Sequence, residues 1–81
     1  VKLKIEVTYE DIDLGQPGDP HRCPIARAAT RALGADAVVV VGIISLPHGP
    51  PITLPKEAHE FYLEFDEYHP VAPFTFEVEA P

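Results

Sequence analysis

The chain has one cysteine, Cys23, and it stands where a loop turns into a helix, directly after His21-Arg22 and directly before Pro24. A thiol at such a place meets unpaired backbone N–H groups and the positive end of the helix dipole, and both favour the thiolate. Arg22 adds a permanent positive charge and His21 a titratable one. Nucleophilic attack or sulfur transfer is the chemistry that this constellation would support. The competing reading is structural, because free cysteine is among the most buried residue types and Cys23 also suits a small apolar filler beneath the loop.

A second pattern is acidic. Glu57, Glu60, Glu64 and Glu67 recur at the spacing of one helix face. Like charges three and four residues apart destabilise a helix by roughly a few tenths of a kcal/mol per pair, so a stripe of them points to a use, the docking of a basic surface. The plain alternative is a solvated face, or one partly neutralised by Arg27 and Arg31 if the two helices lie side by side. The histidines His21, His48, His59 and His69, with Cys23, lack the close ligand spacing of a zinc site, so no metal and no cofactor is expected. Ser45 is the only serine, which leaves no serine–histidine–acid arrangement, and no glycine pattern forms a phosphate loop. The chain reads more readily as a binding protein than as an enzyme.

Several elements must position these residues. Val1, Leu3, Ile5 and Val7 alternate with polar residues, which predicts a strand with one buried face. Thr8-Tyr9-Glu10-Asp11 resembles a capping box and predicts one helical turn over 9–14, closed by Gly15 and Pro17. A helix is expected over 24–33, with Pro24 in its first turn, Ile25, Ala29, Ala32 and Leu33 on one face, and Gly34 as its stop. The run 37–46 reads as one strand buried on both faces. Residues 52–54 read as a short strand, and a helix should run from 55 to about 68 with Ala58, Phe61, Tyr62 and Phe65 inward. Phe74, Phe76 and Val78 mark a last half-buried strand. The order β-α-β-(β)-α-β predicts a single α+β domain over 1–81, with two helices on one face of a three- or four-stranded sheet, in the manner of a ferredoxin-like fold. There the first and last strands are antiparallel neighbours, and Lys2 and Lys4 face Glu77 and Glu79. The apolar strand 37–46 would then lie at an edge, where a second copy of the chain could pair with it.

Composition sets the outer bounds. With 81 residues the chain buries only about 60% of its unfolded surface, so packing must be good. The net charge of −7 disfavours direct contact with a nucleic-acid backbone and favours basic partners, and an acidic surface can also imitate a phosphate backbone. No apolar run is long enough for a membrane span, and a cytoplasmic location is expected. The absence of Met and the ten prolines suit a thermophile or a high-GC genome.

Two resemblances carry further expectations. Val7-Thr8, Asp11-Ile12, Gly15, Pro17-Gly18, Cys23-Pro24-Ile25-Ala26, Leu54-Pro55, Ala58, Phe61, Phe65-Asp66 and Pro73-Phe74 together resemble a family of small uncharacterised proteins encoded by bacteriophages. That resemblance implies a phage accessory protein in the host cytoplasm that binds a host or phage protein. Over residues 11–41, Asp13, Gly15, Cys23-Pro24 and Leu33 with the valines after it are similar to TusA-like sulfur carriers, whose single cysteine accepts sulfur as a persulfide. The chain departs from those carriers at Ala26, where they have a second proline, and in offering one strand after the second helix where they have two.

Overall fold

The structure, a computed structural model, describes residues 2–40 and 42–79. Eight elements follow one another: β1 (Lys2–Val7), α1 (Tyr9–Leu14), α2 (Pro24–Leu33), β2 (Val38–Val40), β3 (Ile43–Ser45), β4 (Ile52–Thr53), α3 (Lys56–Asp66) and β5 (Phe74–Glu79). The strands form two antiparallel sheets, a ribbon of β1 and β5 and a meander in the order β2-β3-β4.

The alternating strands behave as their pattern requires. β1 and β5 pair in the register Lys2↔Glu79, Lys4↔Glu77 and Ile5↔Phe76. Ile5, Val7, Phe76 and Val78 are buried on one face, and the charged residues lie on the other. α2 lies against β1, and its alanines let it approach closely: Ile25, Ala26 and Ala29 are fully buried. Ala32, expected on that face, is exposed, because the inward face deepens toward the N-terminal end, at Ala26 and Ala28, and the last turn rises to the surface. Gly34 ends the helix in the left-handed region, with φ 70°, and its N–H reaches the Thr30 carbonyl. The Thr30 hydroxyl then accepts from the Ala37 N–H at 3.0 Å, which fixes the entry into β2.

The expectation of a single ferredoxin-like sheet is overturned. Residues 37–46 do not form one strand: β2 and β3 lie antiparallel, and Val40 pairs with Ile43. Gly42 supplies the reversal with φ 80°. Val39, Ile44 and Ile52 therefore stand side by side in one inward row across the meander, and Val40 on the other face is exposed. On the outer edge of β1 the Glu6 carbonyl is taken by the Arg31 side chain, and no third strand pairs there among the described residues. β4 packs beside β5 without pairing to it.

α3 contributes Ala58, Phe61 and Phe65 to the common core. Phe61 leans on Phe74 with ring centroids 4.7 Å apart, and Phe74 stacks on Phe76 at 5.4 Å. Among the described residues no helix is long and apolar enough to cross a membrane.

Candidate functional site

Cys23 is the N-cap of α2, and its Sγ accepts a long hydrogen bond from the Ala26 N–H at 3.4 Å. It is 4% exposed. Burial pushes the thiol up from its ordinary pKa; the N–H groups of Ala26 and Ile25 oppose that shift, and the carboxylates of Asp66 and Asp19 add to it. The net direction is opposite to the one a sulfur carrier requires. His21 turns outward instead: its side chain is 69% exposed, with Nδ1 4.0 Å from the Asp19 carboxylate, and its backbone N–H also donates to Asp19. Arg22 is exposed beside it. The three residues adjacent in sequence are not one site in space. Cys23 lines a cleft of about 200 Å³ with Asp19, Tyr62 and Asp66, whose charge repels a thiolate. A small alkylating reagent is expected to label Cys23 no faster than the protein opens, at a rate that keeps rising above about pH 8, whereas fast labelling with a midpoint below about pH 7 would restore the thiol to the candidate chemistry.

A charged cluster that sequence reasoning missed lies between α1 and α2. Asp11 closes the predicted capping box: its Oδ2 accepts from the Thr8 N–H at 3.0 Å, and its own N–H donates to Thr8 Oγ1 at 3.2 Å. The same carboxylate is completely buried and accepts a bidentate pair from Arg31, Nη1 at 3.0 Å and Nη2 at 2.7 Å. Arg27 Nε stands 3.5 Å from Oδ1 and makes no hydrogen bond. Burial acts to raise the Asp11 pKa, but the Arg31 and Thr8 hydrogen bonds outweigh it and hold the carboxyl below the usual aspartate value. Arg27 and Arg31 thus serve Asp11 and do not neutralise the glutamates of α3. The signal available in sequence was the spacing of the two arginines, one turn apart beside a capping aspartate. The cluster fastens α1 to α2, which makes it a structural brace.

Glu57, Glu60, Glu64 and Glu67 are all exposed, as their helical spacing predicts. Lys56 reaches Glu60 only at 3.9 Å, with both side chains mostly in water, a contact of little energetic weight. Three of the four, Glu57, Glu60 and Glu64, form one wall of a trough of about 350 Å³ whose floor is Phe61, Val71 and Phe74 and whose far side is the proline-bounded segment 70–73. Glu67 follows the last turn of α3 and lies outside the trough. The remaining strand proposed for partner contact, 37–46, has one outer hydrogen-bonding position already filled, since the Val39 N–H donates to the Pro20 carbonyl at 2.9 Å. Among the described residues no group of three His, Cys, Asp or Glu side chains is placed to hold a metal ion.

No protein-family model, curated protein or solved structure matches the chain. The chemistry open to its surface follows from these side chains alone. An acidic wall above an aromatic floor can hold a cation-bearing chain with apolar groups between its charges, and the trough presents no thiol or hydroxyl nucleophile.

Proposed function

We propose that the protein is a non-enzymatic accessory protein of the phage type that acts by binding a basic segment of a partner protein in the trough between α3 and residues 70–74. The observation that supports this most is the joining of charge and shape: Glu57, Glu60 and Glu64 line an opening floored by Phe61 and Phe74 rather than standing on a convex face. Apolar contact in the floor supplies affinity, and the carboxylates supply orientation and rate of encounter. The acidic stripe receives no neutralising partner from α2, because both arginines of that helix that could face it are committed to Asp11. The buried, upward-shifted Cys23 gives the sulfur-carrier alternative no support, and a phosphate mimic would need carboxylates spread over a broad face rather than gathered along a trough.

A fluorescent peptide with alternating Lys and Val tests this by anisotropy at low salt. The double variant Glu60→Lys, Glu64→Lys raises the net charge by four units, from −7 to −3. Its binding is expected to fall by more than about tenfold, with the circular dichroism unchanged. Asp13→Lys with Asp36→Lys changes the net charge equally at exposed positions away from the trough and is expected to cost less than about threefold, the part owed to long-range attraction. Equal losses in the two variants would mean that net charge alone attracts the peptide and that the trough is not a site.

A further inference from the structure

The hydrogen bond of the Thr8 N–H shows which way the backbone of β5 faces. The first pair of the ribbon is Val7↔Phe74. In an antiparallel ladder, pairs alternate between those that exchange both hydrogen bonds and those that aim their N–H and C=O groups away from each other. If Val7 and Phe74 were of the second kind, the Thr8 N–H would donate to the Pro73 carbonyl, but it goes to the Asp11 carboxylate instead. Val7/Phe74, Ile5/Phe76 and Leu3/Val78 are therefore the bonded pairs, and the residues between them present their backbone groups outward. β1 agrees: the Glu6 carbonyl points away from β5 and accepts from Arg31 Nη2 at 2.9 Å, and the Thr8 N–H points the same way, to Asp11.

On the outer edge of β1 the Glu6 carbonyl is taken by Arg31, and on that of β2 the Val39 N–H is taken by the Pro20 carbonyl. On β5 the outward residues include Thr75 and Glu77, and their backbone groups meet no backbone partner among the described residues. That edge opens on a second trough, of about 380 Å³, bounded by Lys2, Glu57, Thr75 and Glu77. It shares Glu57 with the trough under Glu60 and Glu64, so the two run on from one another along residues 70–79.

We infer that the β5 edge takes up an extended, lysine- or arginine-bearing segment of the partner protein as an added strand, bonded to the backbone of Thr75 and Glu77 and flanked by Glu57, Glu60 and Glu64. This rests on the trough being the binding site, and it specifies the conformation of what binds. The spacing fits: alternate side chains of a strand are about 6.6 Å apart along the chain, and Glu60 and Glu64 are separated by a helical rise of about 6 Å. Self-addition is disfavoured by like charge, since a second β5 would bring another Glu77 to the same trough. The template is short. Pro73 removes the next donor on one side, and β4 packs beside β5, which leaves two outward residues and at most four backbone bonds.

Two N-methylated versions of the Lys-Val peptide test the inference, one methylated at the lysines and one at the valines; both keep the charge. An added strand bonds through one alternate set only. One analogue is expected to lose about tenfold or more in affinity, and the other to stay within about twofold. If both analogues bind like the parent while Glu60→Lys with Glu64→Lys still weakens the parent, strand addition is overturned and the trough reading stands. If the parent peptide does not bind at all, both fall. If the protein alone sediments as a dimer that Thr75→Pro dissociates, the edge belongs to a second copy and the basic occupant is wrong. Thr75→Pro removes only an outward N–H, so the ladder to β1 survives it.

Discussion

Asp11→Ala is expected to lower unfolding stability by about 3 kcal/mol, the lower end of what breaking a buried ion pair costs, because Arg31 is half in water and regains solvation when its partner is gone. Three losses combine. The Thr8 N–H loses its acceptor, the bidentate Arg31 pair loses its anion, and the Arg27 Nε, already without a hydrogen bond, is left near no negative charge. For a domain of this size the melting temperature should fall by on the order of 15 °C. A urea midpoint that barely moves would show that α1 is held by its apolar contacts instead. The same carboxylate sets an acid limit. Its folded pKa lies below its unfolded value, so the unfolded chain binds the proton more readily. Its contribution is fully present above the unfolded value, about 3.9, and is lost as pH falls through the lower folded value. The stability gap between the native protein and Asp11→Asn should therefore be constant at neutral pH and close in strong acid. A gap as wide in strong acid as at neutral pH would contradict this assignment of the titrating group.

Gly15→Ala is expected to cost about 2–3 kcal/mol, a value at the upper end of ordinary overpacking. The backbone of Gly15 is ordinary, with φ −68° and ψ 153°, so conformational freedom is not what the position needs. Space is. A Cβ there would lie 2.6 Å from the Asp11 carbonyl oxygen and 2.7 and 2.8 Å from the Pro24 ring carbons. The carbonyl already accepts the Gly15 N–H at 2.9 Å, and the proline is locked in the first turn of α2, so neither neighbour can yield cheaply. Gly18 gives the contrast: it has φ 74°, and a Cβ there would meet no atom within 4 Å, so Gly18→Ala should cost only the left-handed penalty, about 1 kcal/mol. Chemical denaturation of the two variants checks the order, and an equal cost at both sites would remove the close approach of α1 to α2 from the explanation.

How much of this was legible in the sequence depended on the range of the interaction. The alternation in 3–7 and 74–78 fixes both strands and their inward faces, and opposite charges at Lys2, Lys4, Glu77 and Glu79 match the observed register. The capping box at Thr8 and Asp11 and the stop at Gly34 are local rules obeyed locally. The hairpin in 37–46 was hidden because the sequence is apolar on both sides of Gly42, the one residue that marks the reversal, and so looks like one strand. The Asp11–Arg31 pair spans twenty positions and exists only once α1 has docked on α2. The glutamate stripe could be read from helical spacing, but its position on the wall of a trough depends on where residues 70–74 fold back, and no periodicity encodes that.

The pairing of β1 with β5 has a consequence for synthesis. Residues 2–7 leave the ribosome well ahead of the strand that satisfies them, 74–79, which is made more than sixty residues later. At about 5–20 residues per second the apolar side of β1 waits for seconds with only α2 to cover it. The meander, by contrast, closes through neighbours in the chain and can form at once. A nascent chain halted before Phe74 is thus a half-built domain with an unmatched strand, and the completed ribbon works as the clasp of the fold.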